Sequence, residues 1–126
     1  MSKIVIIGAG AMGSAFALPC LDNNHDINIV GTHLENVFID ELKKNNNLHP
    51  GLNTEIPQEI KIFKFEKFDE LMKSNVDLIV LGISSKGIGW VADQLSRLYK
   101  DGKIPKLLML TKGLSINNNQ YELLVD

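Results

Sequence analysis

The chain has 126 residues, 44% of them hydrophobic and 22% charged, which is enough for one compact domain with a buried core. Its 13 basic and 15 acidic residues leave a net charge of −2, so charge gives no reason to expect nucleic acid or an anionic membrane as a partner. One cysteine, Cys20, excludes an internal disulfide, and the start lacks a secretory signal, so we expect a cytoplasmic protein. No apolar run approaches the roughly 18 to 20 residues of a membrane span.

The first residues predict a strand that leads into a helix. Residues 4–7, IVII, include no polar position, which indicates a strand buried on both faces. A helix is expected from Ala11 to about Asn23. Pro19 lies inside it, and because proline lacks the N–H and its ring crowds the preceding turn, we expect a kink or an early end there.

A second strand and a second helix are predicted next. The strand is DINIV, at residues 26–30. The polar stretch KKNNN at 43–47 closes the following helix and opens a loop that carries LHPGLNTEIP. The helix itself is indicated by four apolar residues at helical spacing: Leu34, Val37, Phe38 and Leu42.

Three further strands alternate with two helices in the second half of the chain. The strands are predicted at residues 59–63, 76–83 and 106–111, the last two buried. Ser85 is placed to cap the second of these helices. The helices are indicated by apolar residues that share one side: Phe68, Leu71 and Met72 in the shorter, and Ile88, Val91, Leu95 and Leu98, out to Tyr99, in the longer.

This alternation predicts a doubly wound α/β domain of the Rossmann type. Buried strands that alternate with amphipathic helices imply a parallel sheet covered on both faces, since each crossover has to return over the sheet. The final YELLVD resembles the start of a helix that is cut short, so we expect residues 1–126 to be one domain of a longer protein.

Three glycines after the first strand carry the clearest functional signal. Gly8, Gly10 and Gly13 form G-x-G-x-x-G between a strand and a helix, the context in which this pattern indicates dinucleotide binding. Gly8 permits the tight turn, Gly10 lets a pyrophosphate approach the main chain, and Gly13 lets the helix pack closely on the strand. The helix N-terminus then supplies N–H groups and partial positive charge. The alternative is a turn that only packs helix against sheet.

The choice between NAD and NADP stays open at the end of the second strand. An acidic side chain there favours NAD, because it binds the ribose 2′-hydroxyl. Gly31, Thr32 and His33 offer no carboxylate, and we expect Glu35 to lie one turn into the helix, so NADPH is also admissible. The alternative is that Thr32 merely caps the helix and His33 is a surface residue.

Other candidate residues lie where the later strands end. Ligands of such sheets bind beyond the carboxyl ends of the strands, where the strand order reverses, and Lys112 could present its ammonium there to a phosphate or a reacting oxygen. The alternative is a solvated lysine in a loop. His49 could reach the cofactor from its loop or be an ordinary turn residue. The three histidines and one cysteine have no metal-ligand spacing, so no metal is expected.

The order of five segments resembles the NAD(P)-dependent glycerol-3-phosphate dehydrogenases: GAGAMGSAFA, NNHDINIVGTHLE, LHPGL, VDLIVLGISSKGI and LTKGLS. The resemblance implies reduction of dihydroxyacetone phosphate to glycerol 3-phosphate with NADH or NADPH. It also implies an N-terminal dinucleotide-binding domain followed by a helical substrate domain.

The resemblance assigns roles to individual positions. Many members have proline where Ser84 stands and an arginine near Thr32, so this chain departs from the family there. The implied roles are pyrophosphate contact by the backbone of Ala11 and Met12, adenosine-ribose contact by Thr32 and His33, a cleft-lining turn at Ser84 and Ser85, and cofactor and substrate contact near the reacting carbon by Lys112.

The expected function is therefore that of a cofactor-binding half, inactive alone because the helical domain supplies the rest of the cleft. Two alternatives remain, a ketopantoate-reductase-like NADPH enzyme and a stand-alone nucleotide-sensing module. Trp90 is expected to pack its helix against the sheet or to meet a second domain, and the apolar patch it would leave exposed could join two copies in a homodimer.

Overall fold

The computed structural model describes residues 2–83, 87–99 and 105–110. Five strands form one parallel sheet, a separate two-stranded antiparallel hairpin follows the second helix, and helices connect the sheet strands. The strands are β1 (Lys3–Ile7), β2 (Asp26–Val30), β3 (Leu48–His49), β4 (Thr54–Glu55), β5 (Lys61–Phe63), β6 (Leu78–Leu81) and β7 (Lys106–Met109). The helices are α1 (Ala11–Asp22), α2 (Asn36–Lys44), a single 3₁₀ turn (Phe65–Lys67), α3 (Phe68–Met72) and α4 (Ile88–Leu98).

The strand order of the parallel sheet reverses between β1 and β6. The sheet runs β5-β2-β1-β6-β7, so the chain builds outward from β1 to one edge and then returns to lay β6 against the other side of β1. Ile7 pairs with Val30 on one side and with Leu81 on the other, which brings three strand ends together. This order confirms the predicted doubly wound parallel sheet, and its reversal is where such sheets bind ligands.

Alternate residues of β1 enter two separate cores, one on each face of the sheet. Ile4 and Ile6 pack in the core that includes Ala17 of α1. Val5 and Ile7 pack in the other core, which includes Val91 of α4 and residues of α3. All four β1 residues are at most 3% exposed, which confirms the predicted strand buried on both faces. Each such side chain contributes about 1.5–3 kcal/mol by leaving water.

Helix α1 continues through Pro19 to Asp22, so of the two expected outcomes, a kink or an early end, the early end is wrong. The proline removes the N–H that would bond the carbonyl of Ala15, and both residues lie on the exposed side of the helix, where water can satisfy that carbonyl. The helix ends with Asn23 at the C-cap, as predicted.

Helix α2 begins later and is rotated relative to the prediction. Leu34 precedes it and is 81% exposed, and Val37 within it is 74% exposed. Its buried face consists of Ile39 and Leu42. The predicted four-residue stripe was therefore wrong in two of its members, because the helix begins only at Asn36 and presents Ile39 to the core.

The later elements largely follow the prediction, with shorter strands. The apolar sides predicted for α3 and α4 are confirmed, with Val91 and Leu95 buried in α4. Strand β7 is half-buried rather than buried, since it lies at an edge of the described sheet. The capping role of Ser85 falls outside the described residues. Within the described ranges, no helix has the length and apolar character needed to cross a membrane.

Candidate functional site

Residues 8–13, the glycine turn, comprise the turn after β1 and the first three residues of α1, and the first glycine of this segment has a backbone conformation that other residues rarely adopt. Gly8 has φ +114°, a region that L side chains rarely adopt. A Cβ at Gly8 would lie 2.5 Å from the carbonyl oxygen of Gly82. The Gly8 N–H donates to the Val30 carbonyl at 2.8 Å, so the first residue of the turn is still hydrogen-bonded to β2. The predicted tight turn at Gly8 is confirmed.

Close packing of α1 on the sheet requires two more glycines. A Cβ at Gly13 would lie 2.9 Å from the Gly8 carbonyl oxygen and 3.0 Å from Cγ2 of Ile6. A Cβ at Gly82, just after β6, would lie 2.8 Å from Cα of Gly13. Gly13 therefore has the predicted packing role. The matching role of Gly82 was missed, although a glycine directly after a buried strand is a signal of close backbone approach.

Gly10, in contrast, faces open space. It is the N-cap of α1 with φ −69° and ψ 178°, and a Cβ there would meet nothing within 4 Å. No side chain caps the helix start, so the N–H groups of its first turn, which begins with Ala11 and Met12, have no side-chain acceptor. This combination leaves an uncapped helix N-terminus accessible to an anion.

Gly10 borders a cleft of about 580 Å³ at the reversal of strand order. The cleft joins the glycine turn to the ends of β2 and β6 and to the start of α4. Its described lining residues are Gly10, Thr32, His33, Leu34, Glu35, Gly82, Ile83, Gly87 and Trp90. The structure thus brings Thr32 and His33 together with the glycine turn, as the sequence predicted.

Glu35 places a carboxylate at the end of β2, where none was expected. It occupies the N-cap position of α2 and is not one turn inside the helix. Its Oε1 accepts hydrogen bonds from the Thr32 N–H at 2.8 Å and from the Ala9 N–H at 3.1 Å. The Thr32 hydroxyl accepts from the Leu34 N–H at 3.3 Å, so Thr32 is not the helix cap. The sequence missed this carboxylate because it predicted a helix start before Glu35, whereas α2 begins at Asn36.

An aromatic group lines the far side of the cleft. The His33 ring lies 4.7 Å from the Trp90 ring, centroid to centroid, and 6.1 Å from the Phe65 ring. Trp90 and Phe65 are half-buried and pack against the core on the α4 side. The expected packing of Trp90 on the sheet is confirmed, and its ring also borders the cleft.

His49 is buried beneath the glycine turn and is absent from the described lining of the cleft. Its Nδ1 accepts a hydrogen bond from the Gly51 N–H at 3.0 Å, which leaves Nε2 to donate to the Ala9 carbonyl at 2.9 Å. The ring also packs edge-on against Phe38. Sequence analysis offered two roles for His49, a contact with the cofactor or an ordinary turn residue. The structure shows neither, because the ring is buried and supports the glycine turn through the Ala9 carbonyl.

Three candidate residues and the cysteine remain to be placed. Ser84, Ser85 and Lys112 lie outside the described residues, so their roles remain predictions. Cys20 is half-buried, and this burial raises the pKa of its thiol, as suits a packing residue. Among the residues that the structure describes, no three His, Cys, Asp or Glu side chains form a metal-binding group.

A five-stranded parallel sheet in this order, with a glycine turn and an uncapped helix at the reversal point, defines a Rossmann-type dinucleotide-binding domain. Residues 3–126 match the family described as NAD-dependent glycerol-3-phosphate dehydrogenase N-terminus, and the chain belongs to this family. The predicted resemblance is confirmed.

Individual relatives agree with this assignment. The NADP(+)-dependent glycerol-3-phosphate dehydrogenase of Archaeoglobus fulgidus is 30% identical over 111 residues, 88% of this chain and 31% of the relative. A crystal structure of glycerol-3-phosphate dehydrogenase from Coxiella burnetii shares the fold, with TM-score 0.71, 22% identity, and coverage of 92% of this chain and 34% of that one. The chain therefore spans about a third of the length of these proteins.

The ketopantoate reductases, also called 2-dehydropantoate 2-reductases, were one alternative from the sequence, and a protein described as one of them has the same fold. The putative 2-dehydropantoate 2-reductase of Enterococcus faecalis has a TM-score of 0.62 and 25% identity, with coverage of 90% of this chain and 34% of that one. The family match lies with the dehydrogenases, so the reductase alternative is not better supported.

Proposed function

We propose that this chain is the cofactor-binding part of an enzyme that interconverts dihydroxyacetone phosphate and glycerol 3-phosphate, with NAD or NADP as the hydride carrier. The observation that carries the proposal is the open Gly10 position at the uncapped start of α1, inside the cleft at the strand reversal. Family membership supplies the reaction. A cytoplasmic location and a homodimer stay predictions from the sequence.

Different residues of the cleft bind different parts of the cofactor. The first N–H groups of α1 hold the pyrophosphate, because Gly10 has no side chain to keep it away. Thr32 and His33 line the cleft at the end of β2, and we assign them to the adenosine ribose. Lys112, three residues after β7, is proposed to contact cofactor and substrate near the reacting carbon. The nicotinamide supplies or accepts the hydride.

A titration with Trp90 as the reporter tests this proposal. Trp90 is the sole tryptophan of the chain and borders the cleft, so bound NADH or NADPH should quench its emission. We expect saturable quenching, and Gly10→Val should raise the dissociation constant at least about tenfold by blocking the pyrophosphate.

Gly89→Val provides the matched control. Gly89 lies in α4, is exposed, and also has nothing within 4 Å of an added Cβ, but it is absent from the described cleft lining. Its substitution should leave binding unchanged. Absence of saturable binding of either nucleotide by the unaltered chain would refute the proposal, and equal binding by Gly10→Val would refute the placement of the pyrophosphate.

A further inference from the structure

A buried histidine supports the glycine turn from the side of the hairpin. His49, in β3, is 2% exposed, and its Nε2 donates to the Ala9 carbonyl at 2.9 Å. This is the shorter of the two hydrogen bonds that the carbonyl accepts, since the Ser14 hydroxyl donates to it at 3.3 Å. The bond joins residues 40 positions apart and ties the hairpin to the turn.

The other ring nitrogen fixes the direction of this donor. Nδ1 of His49 accepts from the Gly51 N–H at 3.0 Å, and the ring packs edge-on against Phe38, with ring centroids 5.3 Å apart. A neutral imidazole carries one N–H, so acceptance at Nδ1 places the hydrogen on Nε2. The ring is therefore held in one orientation and one tautomer, with its N–H directed at Ala9.

The direction of the Ala9 carbonyl also sets the direction of the next N–H group. The Ala9–Gly10 peptide bond is trans, and the C=O and N–H of a planar trans peptide point in opposite directions. Because the carbonyl points to His49, the Gly10 N–H points away from it. Within the described part of the chain this N–H donates to no protein acceptor, and Gly10 lines the cleft. The Gly10 N–H is therefore available to an anion there.

We propose that His49 is a positioning residue for the cofactor, because it holds the Ala9 carbonyl and so keeps the Gly10 N–H directed at the pyrophosphate. The inference rests on the proposed function. Glycine permits backbone rotations that other residues resist, so the Ala9–Gly10 peptide needs outside hydrogen bonds to keep one orientation. A peptide that is already oriented has less freedom to lose when the ligand binds, which raises affinity.

Two substitutions of His49 separate this role from ordinary structural support. His49→Gln keeps an N–H at the ε position for the Ala9 carbonyl, whereas His49→Asn keeps an oxygen at the δ position for the Gly51 N–H. Each variant loses one hydrogen bond and the contact of the ring with Phe38, so the two should lose similar stability in urea. Only His49→Asn loses the bond that orients the Gly10 peptide.

Titrations with NADH, followed by Trp90 emission, then compare the two variants. We expect His49→Asn to raise the dissociation constant roughly tenfold, while His49→Gln stays within about threefold of the unaltered chain. Equal or greater weakening in His49→Gln, or unchanged affinity in His49→Asn, would overturn the inference and leave the proposed function standing. Absence of saturable binding by the unaltered chain would refute both.

A measurement on the unaltered chain does not depend on the folding of a variant. The ¹⁵N NMR shifts of a histidine ring distinguish its two neutral tautomers. In the NADH complex at neutral pH, His49 should be the Nε2–H tautomer, because this form donates to the Ala9 carbonyl while it accepts from Gly51. The Nδ1–H tautomer in that complex would overturn the inference, since its Nε2 could not donate to Ala9.

Discussion

Gly8→Ala tests whether the glycine turn is fixed by the backbone itself. The φ of +114° at this position is unfavourable for any L side chain. The new Cβ would also lie 2.5 Å from the Gly82 carbonyl oxygen and 3.0 Å from Cγ2 of Ile83. The closest atom belongs to the backbone at the end of β6, so rotation of a side chain cannot relieve the contact.

Both effects reduce the free energy of unfolding. A non-glycine residue held in such a conformation costs about 1–3 kcal/mol. Forcing a methyl into packed surroundings costs about 1–3 kcal/mol more. Gly8→Ala should therefore destabilise the chain by about 2–6 kcal/mol, a large part of the roughly 5–15 kcal/mol typical of a domain.

Urea unfolding followed by circular dichroism measures this change, with Gly10→Ala as the matched control. Gly10 has a φ of −69° and open space around a Cβ, so alanine there should leave stability unchanged or raise it by about 0.4–1 kcal/mol. The same methyl, two positions apart, should thus lower the free energy of unfolding at position 8 and not at position 10. A loss below about 1 kcal/mol in Gly8→Ala would refute the reasoning.

Two further predictions concern contacts outside the motif. His49→Phe should destabilise the chain by about 1–3 kcal/mol in urea, because the Ala9 carbonyl loses the shorter of its two hydrogen bonds and the Gly51 N–H loses its acceptor; unchanged stability would contradict this. Arg97 donates two hydrogen bonds to Asp69, at 2.8 and 3.0 Å, and thereby lowers the pKa of that carboxyl from its ordinary value. The lowered pKa means that the stabilisation is present above the unfolded-state pKa and is lost as pH falls through the folded-state pKa. Asp69→Asn should then cause a small loss of stability at pH 7 that shrinks as the pH is lowered through the folded-state pKa of Asp69, and a loss that does not change with pH would argue against it.

The elements that the sequence predicted correctly are those encoded by local patterns. The run at residues 4–7 has no polar position and forms a strand buried on both faces. Gly8 and Gly13 follow it at the motif spacing and adopt the expected roles. The positions of the strands then follow from alternation, and with them the place of the cleft.

What the sequence could not predict depends on contacts between distant residues. Leu34 and Val37 have helical spacing, yet the start of α2 leaves both exposed, and the spacing alone does not fix which face is buried. Glu35 reaches Ala9 across 26 positions, and His49 reaches it across 40. No periodicity in a single sequence encodes such pairs.

The Ala9 peptide groups explain how the glycine turn keeps one conformation despite its flexible composition. The Ala9 N–H donates to Glu35, and its carbonyl accepts from Nε2 of His49 at 2.9 Å and from the Ser14 hydroxyl at 3.3 Å. These partners come from the start of α2, the hairpin and α1. Gly10 can therefore lack a side chain without leaving the turn free to move, since its neighbour is held from both sides. A turn held in this way has little conformational freedom left to lose when a pyrophosphate binds, so part of the affinity assigned to the glycine motif depends on residues outside it.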